Sequence, residues 1–286
     1  MPAAASNASG VIRPRPVHAP ALRLFLLHHA GGSHRIFRPW VPLFPADWEV
    51  CLVEAPGRGR MARLPPAERV EDLVEHLLTE LDPWLDRPFA VFGHSMGALA
   101  GLALTAALCE QRRPPVWLGV SAHPGPRTPD GPPKPRLHRL SSVRLRAVLA
   151  TLGGVPDRVL ADDGMWSLVE PLLRADLVLA ETWRPEPAPL VPVPMTAFCG
   201  LADVAVPPGA IAGWARYTER FLGVRAHPGG HFYFQDNHSE VVDQIVADVL
   251  SVLGEQTVRS ARLNDGEPTG LPGNVRTGTP AVVRSE

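Results

Sequence analysis

Cysteine is nearly absent from this sequence of 286 residues: there are three, an odd number, too few for a disulfide framework. Cys51 and Cys199 lie inside apolar runs and read as small core side chains. A charge excess is also missing, with 28 lysines and arginines against 29 acids. A polyanion-binding protein carries a clear basic excess, so nucleic acid is not expected as a partner. The first twenty residues contain no apolar stretch behind a basic region. No secretory signal is expected, and a reducing, cytoplasmic setting is the default. Residues 89–109 lack any formal charge and are long enough to cross a bilayer. Gly93, His94, Ser95, Gly97 and Gly101 interrupt them, however, and a buried strand, a turn and a buried helix explain them better than a membrane span. His227, His231 and His238 lack the spacing of a zinc site, and neither a metal nor a cofactor is expected.

What the sequence has in excess is proline, 33 of 286 residues or 11.5%, against about 5% in ordinary proteins. The hydrophobic share of 45% and charged share of 20% are those of a globular chain with ample core. Short apolar runs at 22–27, 48–53, 89–92, 116–120, 195–199 and, weakly, 224–226 read as strands. Helical spacing marks 67–85, 98–108, 211–221 and 241–253. Alternating strands and helices imply crossover units and a mostly parallel sheet flanked by helices, an α/β fold. The rhythm breaks in the middle. Eleven prolines fall in 123–135 and 185–194, on either side of two helical stretches. The first, 142–152, has Ser141 or Ser142 as N-cap and Gly153-Gly154 as stop; the second, 165–183, has Pro171 as a kink or restart. Residues 124–194 thus read as a helical insertion on stiff arms. Residues 1–21 read as a flexible arm, 22–253 as the folded domain, and 254–286 as a disordered tail.

The strongest chemical signal is Gly93-His94-Ser95-Met96-Gly97, a G-x-S-x-G nucleophile elbow between an apolar strand and a small-residue helix. The motif needs that setting, because a strained serine there projects its hydroxyl from the sheet edge. A serine nucleophile needs a base, and the base an orienting acid, in the chain order Ser, acid, His. Asp203 lies just past the strand at 195–199, where parallel sheets bind ligands. His231 follows Gly229-Gly230, with His227 and His238 as competitors. Asp162, Asp163 and Asp176 fall in the insertion and read as solvated. Two oxyanion donors are required: the N–H of Met96, after the nucleophile, and that of Ala30, in His29-Ala30-Gly31-Gly32.

Taken together, these motifs with Pro56-Gly57-Arg58, Arg87-Pro88-Phe89, Arg174-Ala175-Asp176, Glu181-Thr182 and Gly229-Gly230-His231-Phe232 resemble the type II thioesterases of polyketide synthase and nonribosomal peptide synthetase pathways. The resemblance covers roughly residues 22–253. It implies an α/β-hydrolase fold with an inserted helical lid, and hydrolysis of stalled acyl groups from the phosphopantetheine arm of an acyl or peptidyl carrier protein. It also implies Ser95, Asp203 and His231 as triad and Ala30 and Met96 as oxyanion donors. His28 departs from the pattern, since such enzymes usually have proline before His-Ala-Gly-Gly.

On this reading His29 and the insertion residues Met165, Val169, Leu172 and Trp183 are expected to contact substrate. Arg35, Arg38, Arg58, Arg60 and Arg63 are expected in loops that could face an acidic carrier. An esterase or acyltransferase acting on free small esters would use the same catalytic residues and is the alternative. No carrier-protein serine motif, adenylation segment or ketosynthase segment is visible, so a discrete enzyme is expected.

Overall fold

Strands buried on both faces lose the polar alternation of half-exposed ones, and those of this chain are apolar almost throughout. In a computed structural model, which describes residues 9–126 and 136–264, they form a seven-stranded sheet: β1 (Val11–Ile12), β2 (Leu22–Leu27), β3 (Trp48–Val53), β4 (Phe89–His94), β5 (Trp117–Ser121), β6 (Met195–Gly200) and β7 (Phe221–His227). The order is β1-β3-β2-β4-β5-β6-β7, parallel except for β1. Successive side chains point to opposite faces. Phe25, Leu27, Cys51, Val53 and Val91 therefore pack under α1 (Val70–Leu81) and α2 (Met96–Glu110). Leu24, Leu26, Val50, Leu52 and Phe92 pack under α7 (His238–Asn264) on the other side. Strand order reverses between β2 and β4, which pair directly, so the loops leaving their carboxyl ends are neighbours.

Between β5 and β6 the chain leaves the sheet for α3 (Ser142–Leu152), α4 (Asp157–Ala161) and α5 (Asp163–Thr182). Ser141 caps α3, accepting from the Arg144 N–H, and Gly153 and Gly154 follow it at φ +82° and +84°. α5 starts on Asp162, whose carboxylate accepts from the Met165 N–H, and runs on through Pro171 without a restart. Leu145, Leu149, Trp166, Leu173 and Leu177 form the insertion's own apolar cluster, against which Ala30 packs. The proline arm expected at 123–135 lies outside the described residues from 127 on.

Several expected boundaries move. The flexible arm over 1–21 is corrected from Ser9 onward: Val11 and Ile12 pair with Val53 and Leu52, and Arg13 meets the buried Glu49. Residues 1–8 are outside the described ones. The tail expected from 254 is helical to Asn264, as α7 continues past its apolar stripe with residues 254–258 exposed; residues 265–286 are not described. In place of a helix over 211–221 stand the short α6 (Pro208–Ile211) and a tight 3-10 segment, Ala212–Tyr217. Phe221 already belongs to β7. A 3-10 stretch at His34–Leu43, carrying Pro39 and Pro42, buries Phe37, Trp40 and Val41 without matching an α-helical period. Among the described residues no helix is long and apolar enough to cross a membrane.

Candidate active site

The elbow is built from two glycines and one strained serine. A β-carbon at Gly93 would lie 1.9 Å from the Gly97 carbonyl oxygen, and one at Gly97 would lie 2.3 Å from that of Leu27. Neither position admits a side chain, so β4 and α2 meet at backbone contact. Between them Ser95 adopts φ +56° and ψ −115°, a conformation that costs about 1–3 kcal/mol in a non-glycine residue. Its N–H is fixed to the Ser121 carbonyl at 2.7 Å. Met96 is the first residue of α2, so its N–H has no intrahelical acceptor and faces outward at the positive end of the helix.

The acid and the histidine meet because their loops are stitched together. Beyond the last β6–β7 pair, the Leu201 N–H donates to the His227 carbonyl and the Ala202 N–H to that of Gly229, both at 2.8 Å. Gly229, at φ +114°, allows the following turn. His231 Nδ1 lies 2.8 Å from Asp203 Oδ2, while Asp203 Oδ1 accepts from the Ala205 and Val206 N–H groups at 2.8 and 3.0 Å. Burial pushes the Asp203 carboxyl upward in pKa, but the hydrogen bond to His231, the attraction of that ring when it is protonated, and the two backbone donors outweigh it, so its pKa lies below the usual carboxylate range. The carboxylate thus claims the proton on Nδ1 and leaves Nε2 free to accept one. The His231 ring centroid lies 5.2 Å from that of His94, the residue before Ser95. Asp203 and His231 are therefore brought together beside the elbow. Of the competitors, His227 is stacked between Phe198 and Tyr233, each ring at 6° to it. No cluster of His, Cys, Asp or Glu among the described residues could hold a metal.

The loop after β2 faces the elbow. His29 to Gly32 close a turn, the Gly32 N–H donating to the His29 carbonyl at 3.0 Å. Gly31 takes φ +71°, as the third position of a type II turn requires. The Gly31 N–H then points to Asp176 Oδ2 at 2.7 Å. That carboxylate also receives a two-pronged bond from Arg58, Nη1 to Oδ2 at 2.6 Å and Nη2 to Oδ1 at 2.7 Å, and Arg58 Nη1 reaches the Gly32 carbonyl at 3.1 Å. The expectation that Asp176 is solvated and Arg58 free to meet a carrier is corrected, since both are buried and they hold one another. Arg35, Arg38, Arg60 and Arg63 remain at the surface.

The residues expected to contact substrate lie in different surroundings. His29 is buried, its ring 4.7 Å from Phe232 and 6.1 Å from His94, so it lines the floor of the site. Met165 is exposed, and Trp183 packs in the main core beneath the sheet rather than in the insertion. Val169 is half-buried. Leu172 reaches toward Gly57, where a β-carbon would lie 3.0 Å from its Cδ1. The stripe of α5 that meets the loop after β2 is the next one round the helix. Leu173 comes so near Gly31 that a β-carbon there would lie 2.7 Å from its Cδ1.

His28 and His29 are held neutral, each pushed down to about 3. Burial is the main cause for both. The Arg58 charge adds to it at His28, as would a proton on His34; a proton on His28 or His231 would add to it at His29, where Asp176 works in the opposite sense. Unfolded, each would titrate near 6.5. Their stabilising effect is therefore complete above about pH 6.5 and is lost as the pH falls toward 3, because the unfolded chain takes up protons that the folded one refuses. Between pH 6.5 and 5 the pair is expected to lower unfolding stability by about 3 kcal/mol. Urea denaturation at the two pH values measures this, and an unchanged unfolding free energy would contradict it.

The thioesterase domain family matches residues 22–249 of the chain. The gramicidin S biosynthesis protein GrsT of Aneurinibacillus migulanus is 32% identical over 236 residues, 82% of this chain and 91% of that protein. Thioesterase PikA5 of Streptomyces venezuelae is 35% identical over 247 residues, 85% and 86% of the two chains. Among solved structures, the type II thioesterase BorB from the borrelidin biosynthetic cluster superposes with a TM-score of 0.75 at 30% identity, over 84% of this chain and 97% of that one. The elbow on a mostly parallel sheet and these likenesses have one reading: the chain belongs to the thioesterase domain family, a hydrolase of thioesters on the α/β-hydrolase fold.

Proposed function

We propose that this thioesterase releases acyl groups from the phosphopantetheine arm of acyl or peptidyl carrier proteins in polyketide or nonribosomal peptide assembly. Ser95 is the nucleophile, His231 the general base and Asp203 its orienting acid. The observation that carries the chemistry is the Asp203–His231 hydrogen bond beside a serine held at φ +56°. Ser95 Oγ attacks the thioester carbonyl as His231 Nε2 takes its proton. The Ala30 and Met96 N–H groups stabilise the oxyanion, and the C–S bond breaks as His231 returns the proton to the departing thiol. His231 then draws a proton from water, which attacks the acyl-enzyme; the bond between the acyl carbon and Ser95 Oγ breaks as His231 returns that proton to Oγ, freeing the acid and restoring the serine. Asp203 remains ionised throughout and stabilises the imidazolium.

The pathway is argued from the relatives, which include a gramicidin S biosynthesis protein and a thioesterase of the borrelidin cluster. The surface residues Arg35, Arg38, Arg60 and Arg63 offer positive charge to an acidic carrier. The test is hydrolysis of a panel of acyl-loaded carrier proteins, read by mass, beside simple p-nitrophenyl esters. The carrier thioester is expected to have the higher kcat/KM by roughly 10-fold or more, the yield of about 1.4 kcal/mol of remote binding. Equal or better turnover of the free esters would overturn the carrier assignment.

A further inference from the structure

His28, the one residue at which the loop before the elbow departs from the expected motif, is buried, and both of its ring nitrogens are engaged by backbone. The Ala55 N–H donates to Nε2 at 3.3 Å. With that nitrogen accepting, the ring proton sits on Nδ1, which lies 2.8 Å from the His29 carbonyl oxygen and donates to it. The ring shares an apolar hollow with Val53, Leu73, Leu77 and Met96, and it is neutral, so this tautomer is the one present. The His29 carbonyl therefore receives two donors, His28 Nδ1–H and the Gly32 N–H.

The consequence lies on the other side of the same peptide. In a planar trans peptide the carbonyl of His29 and the N–H of Ala30 point in opposite directions. Two donors that fix the His29 oxygen therefore also fix the direction of the Ala30 N–H. We propose that His28 is a positioning residue for the oxyanion donor: it grips the back of the His29–Ala30 peptide and so aims the Ala30 N–H at the place where charge develops over Ser95. Gly32 holds that carbonyl from within the turn, and His28 holds it from the sheet, joining the turn to the end of β3 through Ala55. This inference rests on the reading of Ala30 and Ser95 given above, and it assigns to that site a residue outside the triad and the donor pair.

The test is the rate at which a fluorophosphonate labels Ser95 in the full chain, because the phosphonyl oxygen must enter the same donor pair. His28→Leu keeps the bulk and removes the donor. It is expected to slow labelling by roughly 10- to 100-fold, the range produced by misaimed catalytic groups, and to lower kcat on a p-nitrophenyl ester with KM unchanged. His28→Asn places an amide donor at the position of Nδ1 and is expected to restore both within about 3-fold of wild type. A folded His28→Leu protein that is labelled at the wild-type rate overturns the proposal. If the leucine variant does not fold, His28→Gln, whose amide sits one bond farther out, takes its place, and glutamine labelled as fast as asparagine overturns it. A wild-type protein that is not labelled at Ser95 is a separate result, which overturns the reading of the serine site itself.

Discussion

Ser95→Ala is expected to lower thioester turnover by roughly 10⁴- to 10⁶-fold, the range seen when a hydrolase of this mechanism loses its nucleophile, and to leave the fold as it was. Both halves follow from the geometry. Among the described residues the Ser95 hydroxyl makes no hydrogen bond that the fold needs, and its backbone N–H, which does, is untouched. Alanine is no more at ease than serine at φ +56°, so the strain is unchanged. Thermal unfolding should stay within about 1 °C of wild type while fluorophosphonate labelling disappears; a loss of about 0.5 kcal/mol or less corresponds to such a shift in a chain of this size. Near wild-type rates on a loaded carrier protein would rule out Ser95 as nucleophile.

Asp176→Ala should produce the largest loss of stability, about 3–5 kcal/mol, read as a lower urea midpoint. The substitution deletes a carboxylate that serves both Arg58 and the Gly31 N–H, and it leaves the guanidinium buried without a counter-charge. The double variant Arg58→Met with Asp176→Leu removes both charges and is expected to regain most of that stability, because an apolar pair of similar volume avoids the desolvation cost. It should not regain turnover, because nothing then accepts from the Gly31 N–H and the turn that carries Ala30 is loosened. This separation of stability from rate is the measurement of interest. An Asp176→Ala protein with an unchanged midpoint would show that the buried pair contributes nothing.

The sheet is legible in the sequence because its strands are short, apolar and punctuated. The elbow is legible because two glycines flanking a serine at this spacing imply backbone contact between a strand and a helix. Asp203 and His231 stand out as candidates since each sits just past the end of a strand, with glycine close by. Asp176 does not stand out from its neighbourhood in sequence, as its partner Arg58 is 118 residues away. One signal is present: Leu173, Asp176 and Leu177 share one face of a helix, and an acid within an apolar stripe calls for a buried partner. The orientation of α5 is ambiguous for a related reason. Met165, Val169 and Leu172 and the observed stripe of Trp166, Leu173 and Leu177 are both apolar and both helical in spacing, and only contact with the turn after β2 decides which faces inward. The 3-10 stretch from His34 leaves no trace in the pattern, because a three-residue repeat broken by two prolines has no 3.6 period to detect.

The strand of two residues at the amino end has a practical meaning for anyone shortening this protein. The family match begins at residue 22, and trimming to that point would remove Val11, Ile12 and Arg13 together. The outer edge of β3 would then present unpaired N–H and C=O groups to solvent, a template for other chains. Glu49, wholly buried, would lose one of its two arginine partners. The boundary drawn by likeness and the boundary drawn by hydrogen bonding differ by about a dozen residues, and only the second keeps the edge of β3 paired.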